Sequence, residues 1–316
     1  MLTIQARSRT IKRVILICGF RIHRSIQIPA KLRTDQFATA NTMSGLLYSA
    51  NISDGFLFNE AGSLLARYRA AHAAGFQYVE CSQVAYQYNL DDLVAVLEET
   101  NLKQVLLNSF AGPNAGDLGQ VVLDVPDEEF EAGIRRSIQY AKAIGTSNLH
   151  ILAGKLPAGK SRSDVMRQYL RRLQWACKEC LPRHVNVLIE PIGPFVSPDY
   201  FLNNYGTAVD VIGELDCRNL KILLDVFHFK QLHPTYDVIK WARTNRKLVG
   251  HIQVAQSPAR NEPHAKGDID YARILPQLGD LFPELYIGLE YKPSVPTQQS
   301  LADGKSAGNI FDYATP

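Results

Sequence analysis

Apolar and polar positions along this chain follow a two-beat rhythm. One beat is a short apolar run bounded by turn residues, which reads as a strand buried on both faces. Such runs are GLLYSAN (45–51), QYVE (77–80), KQVLLNS (103–109), NLHILAG (148–154), VNVLIE (185–190), LKILLD (220–225), GHIQVA (250–255) and LYIGLE (285–290). The other beat has helical spacing. Leu64, Leu65, Tyr68 and Ala71 mark a helix over 61–74 that stops at Gly75, a natural residue just past a helix end. Phe130, Ile134, Ile138 and Ala141 mark one over 129–144, closed by Gly145. Further helices are predicted over 90–100, 164–180, 200–214, 237–244 and 271–278, with a final one from Gln298.

Strand and helix thus alternate through eight units with no linker or break in composition. Alternating βα units mean a parallel sheet. Eight of them in one domain over 43–316 predict an α/β fold, a closed (β/α)8 TIM barrel. An open doubly wound sheet would instead need a glycine-rich phosphate turn after its first strand, and SANISDGF is not one.

Residues 1–42 break the rhythm and are expected to form a flexible, basic N-terminal extension. They hold Arg7, Arg9, Lys12, Arg13, Arg21, Arg24, Lys31 and Arg33 against Asp35 alone, a charge of +7. Taking that +7 from the chain's +3 leaves −4 on the remainder, so the folded body is mildly acidic and does not suit nucleic acid. The extension resembles a mitochondrial transit peptide more than a secretory signal. Without that role Met43 is a natural start, and a cytoplasmic location is expected. No stretch approaches the roughly 20 apolar residues of a membrane helix, so no membrane partner is expected. Five cysteines without framework spacing point to a reducing compartment. Cys177 and Cys180 fall on the helical stripe of Val165, Tyr169 and Leu173, which assigns them to core packing rather than to zinc or redox chemistry.

The chemistry gathers at strand ends. In a barrel, the C-terminal ends of the strands and the loops after them form the active face. Glu190, Asp225, Gln253 and Glu290 close the fifth to eighth strands, each after an apolar run. Burying a lone carboxylate costs several kcal/mol, so Glu190 needs a metal, a partner or a cleft. Three carboxylates converging on one place repel one another. A divalent cation resolves this, and oxygen donors favour Mg²⁺, Mn²⁺ or Ca²⁺ over zinc. His228 lies three residues after Asp225 and can face the same mouth. His251 shares the face of Gln253 but sits deeper, where a structural role is as natural as a chemical one. The loop PARNEPH brings Arg260, Glu262 and His264 over the mouth, and Arg260 suits a substrate oxyanion or carboxylate. Lys155 and Lys292 follow the fourth and eighth strands, and Asn108 lies near the end of the third.

The segments IEPI, LLDVFH, GHIQVAQ, R-x-E-P and GLEYKP, with YSAN, YVE and KxPAG (155–159), occur in order between Tyr48 and Pro293. Together they resemble the hydroxypyruvate isomerase family, within the xylose-isomerase-like barrels. The resemblance implies catalytic glutamates at Glu190 and Glu290. It implies a metal set of Glu190, Asp225, Gln253 and Glu290, occupied by Mg²⁺ or Mn²⁺ where metal is used. Its substrate would be a small hydroxy-keto acid, held by His228, Arg260, Lys155 and Asn108. The reaction would interconvert hydroxypyruvate and 2-hydroxy-3-oxopropanoate, and a homo-oligomer would be in keeping. Gly193, Asn261 and Asp268 stand where family members often carry Asn, Gly and Glu. These departures bear on substrate choice rather than on the metal set.

Three other readings compete. A sugar 3-epimerase would use the same two carboxylates on a longer substrate, but resemblance to that group predicts His where Gln253 stands. A DNA-repair nuclease would need further histidines on the early strands, where this chain has Glu80 and Asn108. A non-catalytic binding protein would have no need of the full ligand set.

Overall fold

In the computed structural model, the structure describes residues 46–306 apart from 113 and 115. The expected extension over 1–42 lies outside the described residues. Eight strands close into a parallel barrel in sequence order. They are β1 (Leu47–Asn51), β2 (Tyr78–Cys81), β3 (Lys103–Asn108), β4 (Asn148–His150), β5 (Asn186–Ile189), β6 (Leu220–Asp225), β7 (Val249–Val254) and β8 (Tyr286–Leu289). Closure is explicit in the pairing of β1 with β8, where Leu47 meets Tyr286 and Ala50 meets Leu289.

The helices are α1 (Leu64–Ala73), α2 (Leu90–Thr100), α3 (Asp127–Ala143), α4 (Arg162–Cys180), α5 (Tyr205–Leu215), α6 (Val226–Leu232), α7 (Val238–Thr244), α8 (Tyr271–Leu281) and α9 (Thr297–Ser306). Most lay an apolar stripe on the outside of the barrel, whereas α9 buries Thr297, Ser300, Leu301 and Gly304. On α4 the stripe is Val165, Tyr169, Leu173, Ala176, Cys177 and Cys180, all buried. The paired cysteines are therefore core residues, as their spacing predicts. Inside the barrel, Leu106, Leu188 and Leu223 form a separate buried cluster. Counted by strand alternation, Asn108, Glu190 and Asp225 lie two residues further along the same strands. They therefore form the next interior layer toward the mouth.

The helix predicted over 200–214 begins only at Tyr205, capped by Asn204, and two further differences from the sequence expectation shape the mouth. The fourth strand ends at His150 rather than 154, because the chain then leaves β5 to meet other loops. Val122 N–H donates to Ala153 O, and Ala153 N–H donates to the Tyr200 hydroxyl. Gly119 permits that crossing: its φ is +108°, and a β-carbon there would overlap the Leu152 carbonyl. The second difference is α6, a short helix starting directly after Asp225. Asp225 is its N-cap, accepting the Phe227 N–H through Oδ1 at 2.8 Å.

Candidate active site

Polar side chains from the ends of β4, β5, β6, β8 and β1, with His228 of α6 and Arg260 of the β7–α8 loop, form a contiguous run of contacts. Glu190, just past β5, approaches His150 of β4, with Oε2 3.6 Å from Nε2. Its Oε1 lies 4.0 Å from Nε2 of His228 on α6. The same Nε2 is 3.6 Å from Asp225 Oδ2. Asp225 Oδ2 lies 3.5 Å from the Arg260 guanidinium, which donates to Glu290 Oε2 at 2.5 Å. Glu290 Oε1 accepts from Asn51 Nδ2 at 3.0 Å. Glu190 and Glu290 therefore belong to one enclosed space and do not face separate regions of solvent.

Burial sets the electrostatics. Glu190 is held well above the ordinary carboxylate range, first by burial and then by the charges of Glu290 and Asp225. Burial also raises Glu290 to about 8 and Asp225 to about 6, against the opposing pull of Arg260. His150 is pushed down to about 3 by burial, and His228 well below its usual value by burial and then by the Arg260 charge. The three acids thus cannot all stay ionised beside one guanidinium at neutral pH.

The histidines and the arginine have definite orientations. His228 Nδ1 accepts the Gly193 N–H at 3.1 Å. A neutral ring then carries its proton on Nε2, so His228 presents a donor to the cavity. One atom each of Glu190, Asp225 and His228 lie within 4.8 Å of one another, but this proton disqualifies His228 as a ligand in that tautomer. Arg260 reaches inward from the β7–α8 loop with φ +56°, a left-handed conformation that is costly for a residue with a β-carbon. Gln256 builds this loop, its amide bonding to Pro263 O, Ala265 O, Ile269 O and the N–H groups of Ser257 and Ile269. The guanidinium is flanked by Phe56 and Phe227, at 5.2 and 5.0 Å.

The residues singled out in the sequence are therefore unequally placed. Glu190, Asp225, Gln253, Glu290, His228 and Arg260 come together. Arg260 is bound to two carboxylates of the ring, where the sequence suggested a group waiting over the mouth. Glu262 turns away and accepts from the backbone and hydroxyl of Ser294. Asn108 is half-buried at the end of β3, in register with His150. Lys155 is exposed and pairs with Tyr200 outside the ring, and Lys292 is exposed as well. Sequence reasoning missed His150. The only signal for it was a lone imidazole inside an otherwise apolar strand. It named Glu80 without a role. The structure buries Glu80 completely, on the inner face of β2, among Ser49, Asn51, His251 and Gln253.

The donor chemistry fits a hard cation. Glu190 Oε1 and Gln253 Oε1 are buried acceptors without a hydrogen-bond partner among the described residues. Asp225 Oδ2 has only long contacts. Oxygen atoms of this kind suit Mg²⁺ or Mn²⁺.

A closed barrel with acid–base groups gathered at its C-terminal face defines the class, a (β/α)8 barrel enzyme. A model of the xylose isomerase-like TIM barrel family matches residues 68–306, and the chain belongs to that family. It is 34% identical over 267 residues to a putative hydroxypyruvate isomerase of Danio rerio, covering 82% of this chain and 94% of the relative. It is 33% identical to the hydroxypyruvate isomerase of Escherichia coli, covering 81% of this chain and 97% of that one. A 2-oxo-tetronate isomerase of Haemophilus influenzae is 32% identical, with 78% and 93% covered. A D-psicose 3-epimerase from Clostridium cellulolyticum superposes with a TM-score of 0.66 at 15% identity, over 82% of this chain and 99% of the other. That likeness is one of fold alone. No described helix is long and apolar enough to cross a membrane.

Proposed function

We propose that this protein is an isomerase of the hydroxypyruvate isomerase type, interconverting hydroxypyruvate and 2-hydroxy-3-oxopropanoate. The observation that carries the reading is the unbroken run of contacts from Glu190 through His228, Asp225 and Arg260 to Glu290. Identity of 32–34% with isomerases over most of the chain supports it.

The reaction moves one proton between adjacent carbons through an enediolate. A base removes a proton from C3 of hydroxypyruvate, and a proton returns to C2. The hydroxyl and carbonyl oxygens exchange roles, and no redox partner is needed. Glu190 is the better placed to move the carbon-bound proton. Its Oε1 has no partner, and burial with the neighbouring charges of Glu290 and Asp225 raises its affinity for a proton. Glu290, fixed by Asn51 and Arg260, serves the proton on the substrate oxygens. The His228 Nε2–H is a neutral donor for the developing oxyanion. Arg260 supplies a positive charge for the substrate carboxylate or the enediolate. Glu190, Asp225, Gln253 and Glu290 would hold a divalent cation. When bound, it would neutralise the carboxylates and polarise the two substrate oxygens.

The test is turnover of hydroxypyruvate in D2O, followed by NMR. Wild-type protein is expected to form 2-hydroxy-3-oxopropanoate with deuterium on carbon. Glu190→Gln and Glu290→Gln should each fold normally and lose activity by at least about 10³-fold. Near-normal turnover in either variant would overturn the assignment. A 2-oxo-tetronate assayed in parallel decides chain length, which the similar identity to the Haemophilus influenzae relative leaves open.

A further inference from the structure

Beneath the proposed catalytic pair lies a carboxylate that the reaction does not consume. Glu80 on β2 is fully buried. Its oxygens accept four hydrogen bonds from β1 and β7. Ser49 Oγ donates to Oε2 at 2.9 Å, and His251 Nε2 approaches the same oxygen at 2.7 Å. Asn51 Nδ2 donates to Oε1 at 3.0 Å, and Gln253 Nε2 donates to it at 2.7 Å. A carboxylate offers about four acceptor positions, so all are used. The barrel is also shaped to admit this group. Gly288 on β8 faces it, and a β-carbon there would overlap both carboxylate oxygens.

Two of the four bonds have consequences in the layer above. Gln253 can bond Glu80 only through its amide nitrogen. That choice fixes the amide and leaves Oε1 as the open, buried acceptor. Asn51 is fixed in the same way. Its Oδ1 accepts from Ser53 N–H at 3.1 Å, while its Nδ2 spans Glu80 Oε1 and Glu290 Oε1 at 3.0 Å each. Glu80 is thus one bond from the open oxygen of Gln253 and one amide from Glu290.

We propose that Glu80 is a positioning residue. Through Asn51 it aims the Glu290 carboxylate, and through Gln253 it fixes which amide atom faces the site. The proposal rests on the isomerase reading for its kinetic test, and its structural test stands without that reading.

Two conservative variants separate placement from charge. In Glu80→Gln the remaining oxygen must face Asn51, whose Oδ1 is held by Ser53 N–H so that only its Nδ2 is presented, and Gln253 then still donates to that oxygen. The new amide nitrogen then faces Ser49 and His251, and both can become acceptors. The Ser49 hydroxyl rotates, and the His251 proton moves to Nδ1, which has no partner among the described residues. Glu80→Asp keeps the charge but withdraws the acceptors by about 1.5 Å, one carbon–carbon bond. Glu80→Gln is expected to keep kcat within about fivefold of wild type. Glu80→Asp should lose about 100-fold in kcat, with KM within about threefold and an unchanged circular dichroism spectrum. Crystal structures should show Glu290 and the Gln253 amide displaced by about 1 Å in the Asp variant and unmoved in the Gln variant.

Wild-type kinetics in Glu80→Asp, or a loss in Glu80→Gln as deep as in Glu80→Asp, would overturn the proposal. So would an unmoved Glu290 in the Asp variant. If wild-type protein turns over neither keto acid, the isomerase reading fails, and the crystal structures still decide the role of Glu80.

Discussion

Replacing Arg260 by Met tests the charge arrangement most directly. Met keeps much of the apolar stem between Phe56 and Phe227 and removes the guanidinium that reaches Glu290 and Asp225. Removing one partner of a buried ion pair costs about 3–5 kcal/mol, because a charge is left without compensation. Here the lower end applies, since burial already raises Glu290 to about 8 and lets it escape the penalty by taking up a proton. About 3 kcal/mol corresponds to a fall in Tm of roughly 6–12 °C for a domain of this size. The informative part is the pH dependence. Arg260 lowers the pKa of both acids, so its loss raises them further. The variant then holds protons that wild type has released, from about pH 6 for Asp225 and from about pH 8 for Glu290. Unfolding releases those protons, so the variant loses stability with rising pH faster than wild type, by at most about 1.4 kcal/mol per pH unit for each group. Melting both proteins in a chelator at pH 6, 7, 8 and 9 should show a gap that widens with pH. A gap that is constant, or that closes as pH rises, would refute the claim that Arg260 acts through these carboxylates.

Two further outcomes follow from the same structure. Without divalent cations the wild-type melting temperature should fall at both ends of the pH range. Glu290 is raised from 4.5 to about 8, so its contribution is complete below 4.5 and is lost as pH climbs to about 8. His150 is lowered from 6.5 to about 3, so its contribution is complete above 6.5 and is lost as pH drops toward 3. Added Mn²⁺ should lift the alkaline limb, where the carboxylates must ionise, and His150→Asn should flatten the acid limb; a Mn²⁺ effect confined to the acid limb would contradict the proposed ligands. On the outer wall, buried Arg172 donates to Gln120 O, Val121 O, Leu123 O, Val125 O and Asp127 Oδ1. Arg172→Met should cost about 3 kcal/mol in urea unfolding and open 120–126 to proteolysis, and an unchanged midpoint would show that the loop does not depend on it.

What could be read before the structure, and what could not, follows the range of the interactions. Strands and most helices are local, so apolar runs and helical stripes located them. The ring acids were also legible, because Glu190, Asp225 and Glu290 each break an apolar run at its end, and Gln253 is the polar residue near the end of β7. Helix α6 was not legible, because it exists through one side-chain cap: Asp225 Oδ1 holds the Phe227 N–H, so one residue both ends a strand and starts a helix. The inward reach of Arg260 depends on a left-handed backbone and on a loop arranged around Gln256, neither of which has a pattern along the chain. His150 and Glu80 gain their meaning across the barrel. His150 is 40 positions from Glu190, and His251 is 171 from Glu80.

The arrangement also explains why one barrel can hold so many acids. The lower interior is sealed by Leu106, Leu188 and Leu223, and the outer core lies between strands and helices, so most of the apolar burial lies outside the ring. The ring can then carry a charge imbalance. Glu80 meets four donors and is satisfied where it stands, whereas Glu190 keeps an oxygen without a partner. Two buried glutamates in one barrel thus have opposite conditions. Every acceptor position of Glu80 is engaged, whereas Glu190 combines a raised proton affinity with a free oxygen. An acid–base group needs the second condition, and a support for it needs the first. The division of labour proposed for Glu190 and Glu80 rests on that difference in hydrogen bonding.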